Sequence, residues 1–306
     1  MNLQITLADF ESAWDTSTST WFRNRFMQRE LKYAELDNSE RDDVILHILN
    51  ILEGEVSVAG PHRNKDWELG WNENFQNYIL NKDSTAIIPK YFDKHPIVRW
   101  KQNWIKSSSS SLEYDMFSTL IDWVIDTNLV SFESIYEFGC GTGHNLIRMR
   151  ERFPQANLVG LDWATSSQSL INEFAAKTKD VKLLSANFDF MNPNYDLEIQ
   201  TNSAVITIAA LEQTGENFKD FINYLIASKV ELVLHIEPIN ELLDENKLID
   251  NLSIRYFRKR NYLNGLLTHL KELQEVGKIK ITNTQRSFVG SMYIDGYSIV
   301  AWKPLN

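Results

Sequence analysis

Cysteine is nearly absent: Cys140 is the only one in 306 residues, so no disulfide can form within the chain, which fits a reducing cytoplasm. Long apolar runs are missing as well. No segment approaches the ~20 apolar residues that cross a bilayer, and the first ten residues carry neither a basic flank nor an apolar stretch. We therefore expect neither secretion nor membrane insertion, and a cytoplasmic location. Positive charge is scarce: 31 Lys and Arg face 41 Asp and Glu, a formal charge of −10. Nonspecific binding to nucleic acid needs a basic surface to displace counterions, so no nucleic-acid partner is expected. The six histidines (His47, His62, His95, His144, His235 and His269) lack ligand spacing with one another, and no C-x-x-C occurs, so no metal site is expected. Internal repeats are also lacking. The hydrophobic content of 43% is ample for a normal core, in one large domain or a domain with a substantial extension.

The most informative segment is Ile135-Tyr-Glu-Phe-Gly-Cys-Gly-Thr-Gly-His-Asn-Leu146. Its apolar lead-in reads as a buried strand, and Gly139, Gly141 and Gly143 alternate before a helical pattern begins. Glycines there let the backbone pass close to a ligand and adopt the positive φ of a tight strand-to-helix turn. A dinucleotide fingerprint would be G-x-G-x-x-G, whereas His144 follows Gly143 and the spacing is G-x-G-x-G. That departure, with Glu137 two residues before the first glycine, resembles motif I of the class I S-adenosylmethionine (SAM) dependent methyltransferases. Asp162 ends the next apolar run, 19 residues beyond Gly143, where a carboxylate can accept hydrogen bonds from both ribose hydroxyls. NAD enzymes use the same arrangement, and a strand-end Asp is also a common helix cap. Cys140, inside the turn, is better explained by its size than by redox chemistry.

The serine run Ser107–Ser111 makes a natural boundary between residues 1–106 and 107–306. After it, Leu112, Met116, Phe117, Leu120, Ile121 and Val124 recur at helical spacing. Strands are then expected at about 134–138, 157–161, 181–186, 203–208 and 230–236. Helices between them fall at about 143–152, 166–177 and 216–228. A long helical stretch, 240–277, precedes two strand-like runs at 279–288 and 296–302. This alternation predicts an α/β, doubly wound sheet. The resemblance implies a Rossmann-like sheet of seven strands with an antiparallel C-terminal strand, covering about 112–303. Residues 1–106 lie outside it and read as a mostly helical extension with a strong helix candidate at 44–52. They hold six of the nine tryptophans. These pack a core, or some of them, Trp67 and Trp71 first, form a lid over the substrate mouth.

Ligands of such sheets bind beyond the carboxyl ends of the strands. The resemblance implies SAM as cofactor, held by Glu137, Gly139, Gly141, Gly143, Asp162 and Trp163. Phe188 and Asp189 would meet its adenine, although position 187 competes as the acid's place and carries Asn. Ala209 would pass beneath its methionine part. Glu212-Gln213 is similar to the Glu-His pair of small-molecule members, with Gln where the His would stand. On the fifth strand, His235 and Glu237 share a face and make a candidate base with its orienting partner, against the alternative of a buried, satisfied histidine. Glu212 is the second candidate base. Arg258 and Arg260, with Asn261, Tyr262 and Trp71, are candidate acceptor ligands, because Arg suits carboxylate and phosphate. The same basic run could instead be a solvated helix face. The expected activity is methyl transfer to a hydroxyl oxygen of a small molecule or glycan, possibly one that is anionic. Transfer to nitrogen of a peptide or amine is the first alternative, and a non-catalytic scaffold with the SAM fold is the second. Oligomeric state is not readable.

Overall fold

The computed structural model describes residues 3–305. Its N-terminal third opens with β1 (Leu3–Gln4), α1 (Leu7–Trp14), α2 (Thr20–Phe26), β2 (Lys32–Glu35), α3 (Asn38–Glu53) and α4 (Asn64–Asn81). The starts of α1 and α3 are set locally: Thr6 with Asp9, and Asp37 with Glu40, each exchange side-chain and backbone hydrogen bonds as reciprocal caps. A hairpin of β3 (Ile97–Trp100) and β4 (Asn103–Ser107) follows, turning through Lys101 and Gln102, both at positive φ. The serine run links this hairpin to α5 (Leu112–Asn128).

From α5 onward the chain alternates. The elements are β5 (Ser134–Phe138), α6 (His144–Arg152), β6 (Asn157–Asp162), α7 (Thr165–Thr178), β7 (Leu183–Asn187), β8 (Ser203–Ile208), α8 (Lys219–Ala227) and β9 (Leu232–Glu237). The expected helical stretch over 240–277 is broken into α9 (Leu248–Arg260) and α10 (Leu266–Glu275), because Asn261 and Gly265 take left-handed conformations between them. β10 (Ile279–Gln285), β11 (Val289–Ser291) and β12 (Ser298–Pro304) close the chain.

One sheet has the order β10-β12-β9-β8-β5-β6-β7, and in it β12 runs antiparallel to both neighbours. The chain leaves β5 toward β6 and β7 and returns on its other side at β8. That reversal opens a crevice at the carboxyl ends of β5 and β8. Every residue of β5 is buried, as expected of a central parallel strand covered on both faces.

The extension holds more helix than strand, and its short strands, which the sequence pattern did not single out, form a second sheet, β1-β2-β4-β3-β11. β11 comes from the C-terminal end of the chain and pairs with β3, Val289 opposite Trp100. Trp14 donates its indole N–H to Ser287 O at 2.9 Å and stacks on Trp123 of α5, centroids 4.5 Å apart. Phe10, Trp14, Phe22 and Trp100 belong to the same apolar core as Phe117, Val124 and Ile135. Four charged side chains tie the same region together: Asp122 of α5 meets Arg25 of α2, Arg29 and Arg148 of α6, with no exposure of its own side chain.

Candidate active site

β5 delivers Glu137 and then the glycine turn to the crevice. Gly139 and Gly141 lie at φ 69° and 53°, where a side chain is strained. A Cβ on Gly139 would fall 2.4 Å from Cβ of Ala210, so the β5 and β8 loops approach as closely as they do only because that atom is missing. Asp162, at the end of β6, fixes the turn from the other side: its Oδ2 accepts from the Gly141 N–H and its Oδ1 from the Ala164 N–H, both at 2.9 Å. Burial raises its carboxyl to about 6, against those two donors.

Two cavities meet above this turn. The smaller, about 230 Å³, is bounded by Asp162, Trp163, Phe188, Asp189 and Ala209. Phe188 stands edge-on to Phe138, with centroids 4.7 Å apart. Asn187 does not face this space as an acid would; its amide donates to Trp163 O at 2.9 Å and braces the loop. The larger cavity, about 610 Å³, takes in Glu137, Gly139, Gly141, Ala209 and Glu212, and beyond them Tyr91, Arg260, Tyr262 and Tyr297. Ala209 borders both cavities at a left-handed φ of 48°, a conformation that costs an alanine of order 1 kcal/mol and marks the loop as over-determined by its surroundings.

A roof comes from α4. Trp67 and Trp71 stack on one another, centroids 5.5 Å apart, and both border both cavities, whereas Gly143 borders neither. The six tryptophans of the extension thus divide: Trp14, Trp100 and Trp104 are buried packing and Trp21 is half-buried against the core, whereas Trp67 and Trp71 face the crevice. Gly143 faces Ile171 instead, at 2.8 Å from where its Cβ would be, and serves to seat α7 rather than to line a cavity.

Among the candidate bases, His235 is not at the crevice. It is fully buried: its Nε2 accepts from Trp302 Nε1 at 3.0 Å, and its Nδ1 pairs with Thr207 Oγ1 at 2.9 Å. Burial lowers its pKa to about 3, so it stays neutral. The expected base is therefore a satisfied core histidine. Glu237 does not orient it either. Its carboxylate accepts from the N–H groups of Ala210, Leu211 and Glu212, at 3.0, 3.1 and 3.3 Å, and so shapes the loop after β8. Glu212, carried by that loop, does border the larger cavity. Burial raises its carboxyl to about 7, while the Gln213 amide at 2.8 Å, Arg260 and Arg63 pull it down.

The acceptor candidates also separate. Arg260, Tyr262 and Trp71 border the larger cavity. Arg258 is exposed on the outer face of α9, so its expected role does not hold. Asn261 lies outside both cavities: it ends α9 at φ 51°, and its amide stands against Gly215 and Ala59 O. The sequence reading missed Arg63, whose spacing of four from Trp67 on a helical stretch was the available signal. It also missed Asn145, the second residue of α6, whose amide donates to Glu137 Oε1 at 2.9 Å. Glu137 Oε2, Asn145 Oδ1 and His144 Nε2 are buried and have no hydrogen-bond partner among the described residues. Burial raises the Glu137 carboxyl to about 8. Three unmet polar atoms beside a glycine turn are what a polar ligand would satisfy.

Among solved structures, the chain is similar to the cyclase SpnF, with a TM-score of 0.53 at 13% identity over 83% of this chain and 100% of that one. With the strand order above, this decides the fold. The chain has the class I methyltransferase fold. Lower-scoring matches include the O-methyltransferase NcsB1 of neocarzinostatin biosynthesis, TM-score 0.43 at 14% identity over 79% of this chain and 70% of that one. LaPhzM gives 0.45 at 15% over 63%, and the chain spans 57% of its length. No protein-family profile matches the sequence, and no curated protein does. No helix among the described residues is long and apolar enough to cross a membrane.

Proposed function

We propose that this chain is a SAM-dependent methyltransferase acting on a hydroxyl oxygen of a small molecule or glycan, with Glu212 as the proton acceptor. The observation that carries the reading is the position of Glu212, at the edge of a cavity of about 610 Å³ that also takes in the glycine turn, where burial raises its carboxyl to about 7. A general base works best when its pKa lies near the working pH.

The residues present fit the cofactor. Glu137 and Asn145 offer unmet buried oxygens for its amino group, while Asp162, whose two oxygens already accept from Gly141 and Ala164, borders with Trp163, Phe188 and Asp189 the smaller cavity that would take the ribose and purine. When bound, SAM supplies a methyl group already activated by its sulfonium. The chain's own task is then to hold the acceptor hydroxyl in line, which can supply ~7–11 kcal/mol, and to take its proton. Glu212 does the second. Tyr91, Tyr262 and Tyr297 border the same cavity, and burial raises their phenols well above the usual range, so they remain neutral donors around the acceptor. Residues 1–106 serve as a lid through Trp67 and Trp71, excluding water from the reacting groups.

Calorimetric titration with S-adenosylhomocysteine, with NADH in parallel, tests the cofactor. Micromolar binding of the first alone supports the reading, and no binding by folded protein sinks it. Glu212→Gln should then lower kcat about 10²–10⁴-fold against a hydroxyl acceptor with cofactor affinity unchanged. An undiminished rate would move the acceptor to nitrogen.

A further inference from the structure

Two arginines converge on Glu212 from opposite ends of the sequence. Arg63 belongs to the turn ahead of α4 and Arg260 is the last residue of α9, yet both bear on the Glu212 carboxylate and on the Tyr262 phenol. Each guanidinium lies over aromatic rings: Cζ of Arg260 is 5.1 Å from the Tyr262 centroid and 5.8 Å from that of Tyr256, and Cζ of Arg63 is 5.1 Å from that of Trp67. Each also keeps a buried Nε–H without a hydrogen-bond partner among the described residues. Glu212 does not fill that need, because the one hydrogen bond its carboxylate accepts among the described residues comes from Gln213. Asp66 stands 3.7 Å from Arg63 Nε, beyond hydrogen-bond reach, and its own side chain is 67% exposed.

Buried donors that are held over aromatic rings and left unmet are suited to a planar oxyanion, for which a guanidinium fork is the matching shape. We propose that Arg63 and Arg260 form a clamp for a carboxylate or phosphate group of the acceptor molecule, placing its hydroxyl beside Glu212. The acceptor is then a hydroxylated anion, such as an acidic or phosphorylated sugar. The role of the hydroxyl rests on the methyl-transfer reading above; binding of the anion does not.

The same donors could serve the carboxylate of the cofactor itself, so the test is made with the cofactor site filled. Thermal unfolding of the full chain is followed in saturating S-adenosylhomocysteine, at constant ionic strength, against citrate as carboxylate probe and pyrophosphate as phosphate probe, with glycerol as the neutral control. A ligand that binds only the folded state raises Tm in a dose-dependent way. We expect one of the two anions to do so and thereby to name the source. Arg63→Gln and Arg260→Gln should each weaken that response roughly ten- to a hundredfold. Arg258→Gln, on the exposed side of the same helix, should leave it unchanged. If Arg260→Gln does not fold by circular dichroism, Arg260→Lys replaces it, keeping the charge and losing the fork, with an intermediate response expected. The proposal is overturned if neither anion acts beyond sodium chloride, if both arginine variants respond as wild type, or if the response exists only without S-adenosylhomocysteine. Failure of S-adenosylhomocysteine to bind would strike the methyl-transfer reading, while the anion titration of the cofactor-free protein would still read the clamp.

Discussion

Trp71 lies directly on Gly141: a Cβ added to that glycine would sit 3.0 Å from Cζ2 of the indole. The roof of the crevice and its floor therefore touch, and the touch depends on a hydrogen standing where other residues carry carbon.

Gly141→Ala should for that reason fail twice, through its left-handed φ of 53° and through displacement of Trp71. The backbone alone costs about 1–2 kcal/mol. We expect Tm to fall by several degrees and the affinity for S-adenosylhomocysteine to drop more than tenfold, read by calorimetry. Wild-type affinity would mean that α4 does not roof the cofactor site.

Glu212 gives a pH dependence with two opposite signs. As a base it must be ionised, so kcat/KM should rise with pH through about 7 and then level, and Glu212→Gln should remove that limb. In stability the raised folded pKa means that the folded state holds its proton more tightly than the unfolded chain. Stability is then lost between about 4.3 and 7 as pH rises. Glu212→Gln should accordingly stabilise the protein by about 1–3 kcal/mol at pH 8 and not at pH 4, seen in denaturant midpoints.

His235 separates a core role from a catalytic one. His235→Asn should leave kcat within about twofold of wild type while lowering Tm, since both ring nitrogens are engaged internally. Its lowered pKa has the reverse sign to that of Glu212. The unfolded chain takes up the proton that the folded state refuses, so stability is lost as pH falls below about 6.5, and this loss should be absent from the variant. A large fall in kcat at unchanged Tm would restore the histidine as base.

Asp122 stands against three arginines in a buried setting. Burial opposes its ionisation, yet Arg148, Arg29 and Arg25 together hold its carboxyl below the usual range. Its stabilising charge is present above the unfolded pKa and is lost as pH falls through the lower folded one. Asp122→Asn leaves the guanidiniums uncompensated and should cost about 3–5 kcal/mol in urea unfolding. A change below 1 kcal/mol would mean that water reaches the cluster.

Much of this was legible from residues alone because glycine spacing and strand alternation are local signals. Glu137, Gly139, Gly141, Asp162 and Ala209 follow from chain position at the ends of strands, and topology carries them to one crevice, while Gly143 turns to Ile171 instead. His235 defeated the same reasoning for a physical reason. Period two tells which residues of β9 share a face, but not that Trp302 of β12 and Thr207 of β8 will fill that face. Arg258 and Arg260 are two apart on a helix, about 200° around its axis, so only one of them can point inward, and the basic run does not say which. β11 was invisible because three residues, Val-Gly-Ser, carry no pattern; its partner β3 lies almost two hundred positions away.

That partnership limits how the protein can be re-engineered. The roof over the crevice is not a module that can be cut at the serine run and exchanged, because the segment between β10 and β12 is woven into the same small sheet and supplies Tyr293 and Tyr297 to the larger cavity. A chimera with a new acceptor preference would have to exchange two stretches at once, one from each end of the gene.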